Sequence, residues 1–87
     1  MSLMNYKLII LKKVQKDLDR MDTRYKKRVI VALTDIESDP YIGNKLKGEL
    51  EEKYTFRVWP FRILYEIKDK KLVILVVKIK HRKDAYK

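Results

Sequence analysis

Cysteine is absent from the 87 residues, which excludes disulfides, thiolate metal sites and a cysteine nucleophile. Glycine and proline are scarce, two of each, and both glycines fall within Gly43-Asn44-Lys45-Leu46-Lys47-Gly48. A phosphate-cradling loop needs more glycine and a following helix, so Tyr41 to Glu52 reads as an ordered connector. No apolar run approaches the roughly 20 residues of a membrane span, and the N-terminus lacks the layout of a secretory signal. No membrane partner is expected, and a reducing cytoplasmic location is compatible with the missing thiols.

The last shortage is local. Residues 1–52 carry 11 Lys/Arg against 9 Asp/Glu, whereas residues 53–87 carry 11 against 3. The formal net charge of +10 therefore belongs mainly to the C-terminal part. Such a directed field favours polyanions: nucleic acid, the ribosome or an acidic protein. The plain alternative is that the charge serves solubility alone.

The length suits one domain, residues 1–87, with a single modest core. Met1-Ser2-Leu3 ahead of Met4 reads as an addition foreign to the fold. Asn5 to Ile10 reads as a short edge strand. Leu11, Val14, Leu18 and Met21 then recur at helical spacing with charge on the other side. Asp22 or Thr23 offers an N-cap for a second helix, whose buried stripe is Tyr25, Val29, Ala32, Leu33 and Ile36. Asp39-Pro40 ends it, because the residue before proline leaves the helical region. Few residues separate the helices, so they are expected to form an antiparallel hairpin on a sheet. Lys26-Lys27-Arg28 reads first as a solvated face and second as a contact for phosphates.

The segment Lys53 to Glu66 sorts cleanly when folded on itself at Trp59-Pro60. Val58 then faces Phe61, Phe56 faces Ile63 and Tyr54 faces Tyr65 on an apolar side. Arg57 faces Arg62, Thr55 faces Leu64 and Lys53 faces Glu66 on a mostly polar side. A cis Trp-Pro bond in a type VI turn, or a wider loop, keeps this register. Like charges directly opposite repel, so the Arg57/Arg62 pair points to an anion bound there. Glu66 is expected to pair with Lys53. Trp59 is either a base-stacking ring or a cover for the sheet edge.

Leu72 to Val77 is rich in β-branched residues and is expected as the middle strand of the sheet. The turn before it controls which way the following lysines face. An odd-numbered turn puts Lys78 and Lys80 on the Arg57/Arg62 face, an even one turns them toward the helices, and the odd length is expected. The fold class is thus α+β: an N-terminal edge strand, then a helical hairpin on one face of a small, mainly antiparallel sheet.

After the last strand come His81-Arg82-Lys83-Asp84-Ala85-Tyr86-Lys87. An imidazole, a guanidinium and a phenol are suited to RNA cleavage by internal attack. The 2'-hydroxyl must lose a proton, the five-coordinate phosphate needs neutralisation, and the leaving 5'-oxygen must gain a proton. Arg57 and Arg62 can hold a phosphate in bidentate fashion, and this chemistry needs no metal or cofactor. A phenol with a pKa near 10 becomes a base at neutral pH only if neighbouring cations lower that value.

Asn44-Lys45-Leu46-Lys47-Gly48, Tyr54 to Arg57, Phe61-Arg62-Ile63-Leu64-Tyr65-Glu66, the valine-rich strand and His81-Arg82-Lys83-Asp84-Ala85-Tyr86 together resemble the RelE family of toxin–antitoxin toxins. The likeness runs from Tyr6 to the end and is greatest to short, archaeal-like members. It implies a ribosome-dependent mRNA endonuclease acting in the A site and silenced by a cognate acidic antitoxin of the RelB kind. Carried over by position, Arg62 matches the family's phosphate-stabilising arginine and Arg57 a basic residue on the preceding strand. Arg82 falls on or beside the essential C-terminal arginine, Tyr86 on the tyrosine proposed as general base, and His81 where some members place a histidine acid. Lys53, Lys78 and Lys80 complete the expected phosphate-binding set. Thr55 departs from the pattern, standing where well-studied members carry a lysine, and the C-terminal helix of longer relatives is missing. Two rivals remain: a non-catalytic toxin of the ParE type acting on DNA gyrase, and a basic RNA- or ribosome-binding module. The combination Arg57, Arg62, Arg82 and Tyr86 speaks for the nuclease, since a gyrase-binding protein has no need to gather it on one face.

Overall fold

The computed structural model describes residues 5–46 and 53–83. Strand β1 (Lys7–Ile10) leads into helices α1 (Lys12–Asp19) and α2 (Thr23–Ser38). Then come a short strand β2 (Asn44–Lys45) and the long strands β3 (Lys53–Val58), β4 (Phe61–Lys68) and β5 (Val73–His81). The strands form one sheet in the order β1-β5-β4-β3-β2. β1 runs parallel to β5, and the other neighbours are antiparallel. This is the expected α+β architecture with one added strand, β2, cut from the segment read as a connector.

Both helices lie against one face of the sheet because each has a single apolar stripe. Val14 and Leu18 of α1 are buried, as are Val29, Ala32, Leu33 and Ile36 of α2. They meet Tyr54, Ile63, Tyr65, Ile67, Ile74, Val76 and Ile79 in one core. Asp22 caps α2 by accepting a hydrogen bond from the Arg24 amide at 3.0 Å. Asp39, extended at φ −144°, ends the helix, as the following proline dictates.

The β3/β4 hairpin has the expected register throughout, from Lys53 opposite Glu66 to Val58 opposite Phe61. The Trp59-Pro60 bond is cis. Glu66, however, forms its ion pair with Lys68 of its own strand, at 3.0 Å. Residues i and i+2 share a strand face, which puts that lysine as near as the cross-strand one.

β5 departs from expectation in two ways. It is an interior strand but not the middle one; β4 holds the centre, between β3 and β5. The parallel edge strand β1 takes the outer side of β5, a pairing that the local sequence does not encode. The turn between β4 and β5 is also even, since Lys68 pairs with Val73 and residues 69–72 lie between. An unbroken ladder from that turn would set Lys78 toward the helices. It does not, because the register shifts between Leu64 and Tyr65: Tyr65 pairs with Val76, while Leu64 pairs with Lys78. Val77 is the extra residue of a β-bulge, and beyond it every side chain is carried to the opposite face. Lys78 is exposed and Ile79 buried as a result.

Two tyrosines tie the connector to the sheet. The Tyr65 hydroxyl donates to the Pro40 carbonyl at 2.7 Å and accepts from the Gly43 amide at 3.1 Å. Burial pushes its phenol up to about 12. Gly43 is required by close approach: a Cβ there would lie 2.5 Å from that hydroxyl and 2.6 Å from the Thr55 carbonyl oxygen. Nearer the surface, Tyr6 and Tyr41 both donate to Asp69, at 2.5 and 2.8 Å. That carboxylate links the chain before β1, the connector and the β4/β5 turn.

Candidate functional site

The helix-free face of the sheet presents its charge as a row. Arg62 on β4 stands opposite Arg57 on β3 and, on its other side, opposite Lys80 on β5. Three cations therefore occupy adjacent strands at one level, about 5 Å apart along the row. None of them takes part in an ion pair among the described residues. With Trp59, His81 and Arg82 they line a cleft of about 270 Å³. Pro60 and Phe61 also line it, and among the described residues no carboxylate does.

The local sequence explains how the last three come together. Beyond β5, the Arg82 amide donates to the Pro60 carbonyl at 2.8 Å, so the chain continues along the hairpin tip. Its guanidinium carbon lies 5.1 Å from the centroid of the Trp59 ring, a cation–π distance. Trp59 is 58% exposed, so this indole is a wall of the cleft rather than part of the core. It packs on a cation at the end of the sheet.

His81 comes to the cleft from the other face. It pairs with Phe61, and the two rings meet edge to face at 5.2 Å. Its Nδ1 accepts from the Lys83 amide at 3.1 Å. A proton given by this ring to a leaving group would therefore depart from Nε2. Lys78 and Lys53 share the arginine face but do not line the cleft. Lys78 lies opposite Leu64, and Lys53 opposite Glu66, four positions along β3 from Arg57. At the rise of an extended strand that is about 13 Å away. Tyr86 lies outside the described residues.

Some of the surroundings are not evident from the sequence. A second cleft, of about 410 Å³, opens beyond Trp59 and Arg82 and is lined by Tyr25 and Arg28 of α2 and by Lys83. The only signal for it is the Lys26-Lys27-Arg28 run. Among the described residues no three of His, Cys, Asp and Glu gather as metal ligands, and no helix is long and apolar enough to cross a membrane.

A helical hairpin on one face of a five-stranded sheet, with a cationic row on the other, defines a RelE-like toxin domain. A model of the family described as ParE toxin of type II toxin-antitoxin system, parDE, matches residues 8–86, and the chain belongs to that family. The toxin RelG of Mycobacterium tuberculosis is 28% identical over 75 residues, covering 84% of this chain and 86% of that protein. RelE in the archaeal RelE–RelB complex from Pyrococcus horikoshii OT3 superposes with a TM-score of 0.80 at 27% identity, over 91% of this chain and 97% of that one. The isolated E. coli RelE toxin has the same fold, with a TM-score of 0.78 at 20% identity, over 93% and 95% of the two chains. The expected RelE-family toxin of a type II system is thus the family found.

Proposed function

We propose that the chain is an mRNA endonuclease that cuts messages in the ribosomal A site and is held inactive in the cytoplasm by an acidic antitoxin. The observation that carries this reading is the Arg57–Arg62–Lys80 row in one cleft with Arg82 and His81. A phosphodiester seated on the row has its charge neutralised, and more strongly as it becomes five-coordinate. The 2'-oxygen forms a bond to phosphorus, the bond to the 5'-oxygen breaks, and a 2',3'-cyclic phosphate and a 5'-hydroxyl result. Tyr86 takes the 2'-proton and His81 Nε2 supplies the proton to the leaving oxygen. Arg57 and Arg62 hold the non-bridging oxygens, and Arg82, steadied by Trp59, faces the developing charge. Metal plays no part in these steps.

The partner assignment rests on charge and on a relative, since the P. horikoshii toxin is seen with RelB. The name of the matching family model favours a second reading, a ParE-type toxin that acts on gyrase without chemistry. One experiment separates them. The protein is induced without antitoxin, and a translated message is followed by primer extension, beside an Arg62→Ala/Arg82→Ala variant. Cuts confined to translated codons and lost in the variant support the nuclease. Growth arrest with intact message moves the weight to gyrase.

A further inference from the structure

The two clefts at the end of the sheet share a wall, formed by Trp59, Pro60, His81 and Arg82. On the near side lies the cationic row. On the far side Arg28 of α2 and Lys83 stand exposed beside the Tyr25 ring. Lys83 is turned there by its own backbone, because its amide is bound to His81 Nδ1 at 3.1 Å. Arg28 precedes buried Val29 on α2 and lines this cleft with Trp59 and Pro60. Neither belongs to an ion pair among the described residues. A cation group, an exposed indole and a second cation group thus follow one another around the hairpin tip.

That alternation fits a strand whose phosphates and bases alternate, since single-stranded nucleic acid is bound by cationic grooves interleaved with aromatic rings. We infer that the Tyr25/Arg28/Lys83 cleft is a subsite for the nucleotide flanking the scissile phosphate of a single-stranded RNA. Arg28 and Lys83 hold the neighbouring phosphate, and its base lies against Trp59. The inference rests on the nuclease reading above and adds to it a binding site on the helix side of the sheet. An acidic peptide would satisfy the cations but supply no base to lie against the exposed indole between them.

The test measures binding of fluorescent 2'-O-methyl RNA, which internal attack cannot cleave, to the full-length protein. A dinucleotide, with one phosphate, is compared with a hexanucleotide. In an Arg28→Ala/Lys83→Ala variant the hexanucleotide should bind about tenfold more weakly, with its salt slope reduced by about 0.7 for one lost phosphate contact. The dinucleotide should bind as before. An Arg28→Glu variant should enlarge the loss for the hexanucleotide alone. Unchanged binding of both lengths, or an equal loss for both, would overturn the subsite. So would a variant that keeps its RNA affinity and loses only affinity for an acidic protein. A wild-type chain that cuts translated message yet shows no length-dependent loss in the variants would sink the subsite and leave the nuclease standing. A wild-type chain that binds neither RNA would remove the subsite alone, because the nuclease reading places cleavage on the ribosome.

Discussion

Arg57 and Arg62 stand directly opposite one another across the β3/β4 ladder, and Lys80 flanks Arg62 on β5. Like charges in cross-strand positions destabilise a sheet by about 0.2–1 kcal/mol per pair. The free protein therefore carries repulsion that a bound phosphate would relieve. Replacing Arg57 with threonine should raise stability in urea unfolding by an amount in that range at low salt, and the gain should shrink as salt rises. The same substitution should weaken phosphate binding. A variant no more stable than the parent at low salt would contradict the assignment.

The bulge at Val77 makes a less intuitive prediction. Tyr65 pairs with Val76 and Leu64 with Lys78, so removal of Val77 leaves both pairs in place and closes the ladder. A deletion inside an interior strand should then cost only about 1–2 kcal/mol, within the ordinary range for a single change. Lys78 and Lys80 should keep their facing. If Val77 were instead in register, its deletion would turn Lys78 and Lys80 into the core and the chain would fail to fold. Circular dichroism and thermal unfolding of the deletion variant distinguish the two.

The clasp around Asp69 should appear as a pH dependence. Its carboxyl is held below the usual range by the hydrogen bond from Tyr6 and then that from Tyr41. The Tyr41 phenol is raised above its usual range, chiefly by the bond to Asp69. A depressed carboxyl contributes stability above its unfolded pKa and loses it as pH falls through the folded value. A raised phenol contributes below its unfolded pKa and loses that as pH rises through the folded value. The stability difference between the parent and a Tyr6→Phe/Tyr41→Phe variant should thus be flat between roughly pH 4 and pH 10 and shrink on both sides. A difference that persists unchanged at pH 2 would rule out the clasp.

Local pattern made much of this molecule legible. The helical stripes, the Asp22 cap and the Asp39-Pro40 stop follow from side-chain chemistry within a few residues. The β3/β4 register follows because a slip of one residue would mix Tyr54 and Phe56 with Arg57. Non-local features were not legible. The apolar run of β5 reads as a central strand because it does not encode that β1 covers its outer edge and leaves β4 in the middle. An odd turn puts Lys78 on the correct face for the wrong reason: the turn is even, and the bulge restores the facing. Both effects are paired backbone geometry, which leaves little trace in composition. In the candidate site, the Arg57/Arg62 pair follows from alternation along β3 and β4, whereas Lys80, like Lys78, reaches that face through the bulge, and the approach of Arg28 and Arg82 to Trp59 depends on tertiary packing.

The most direct test of the account uses purified protein on ribosomes programmed with a defined message, and a matched message bearing a single 2'-deoxynucleotide on the 5' side of the cut. Internal attack predicts cleavage of the first to a 2',3'-cyclic phosphate and a 5'-hydroxyl, and none at that position in the second. Cleavage of the deoxy message at the same bond would contradict a mechanism built on the Arg57–Arg62–Lys80 row.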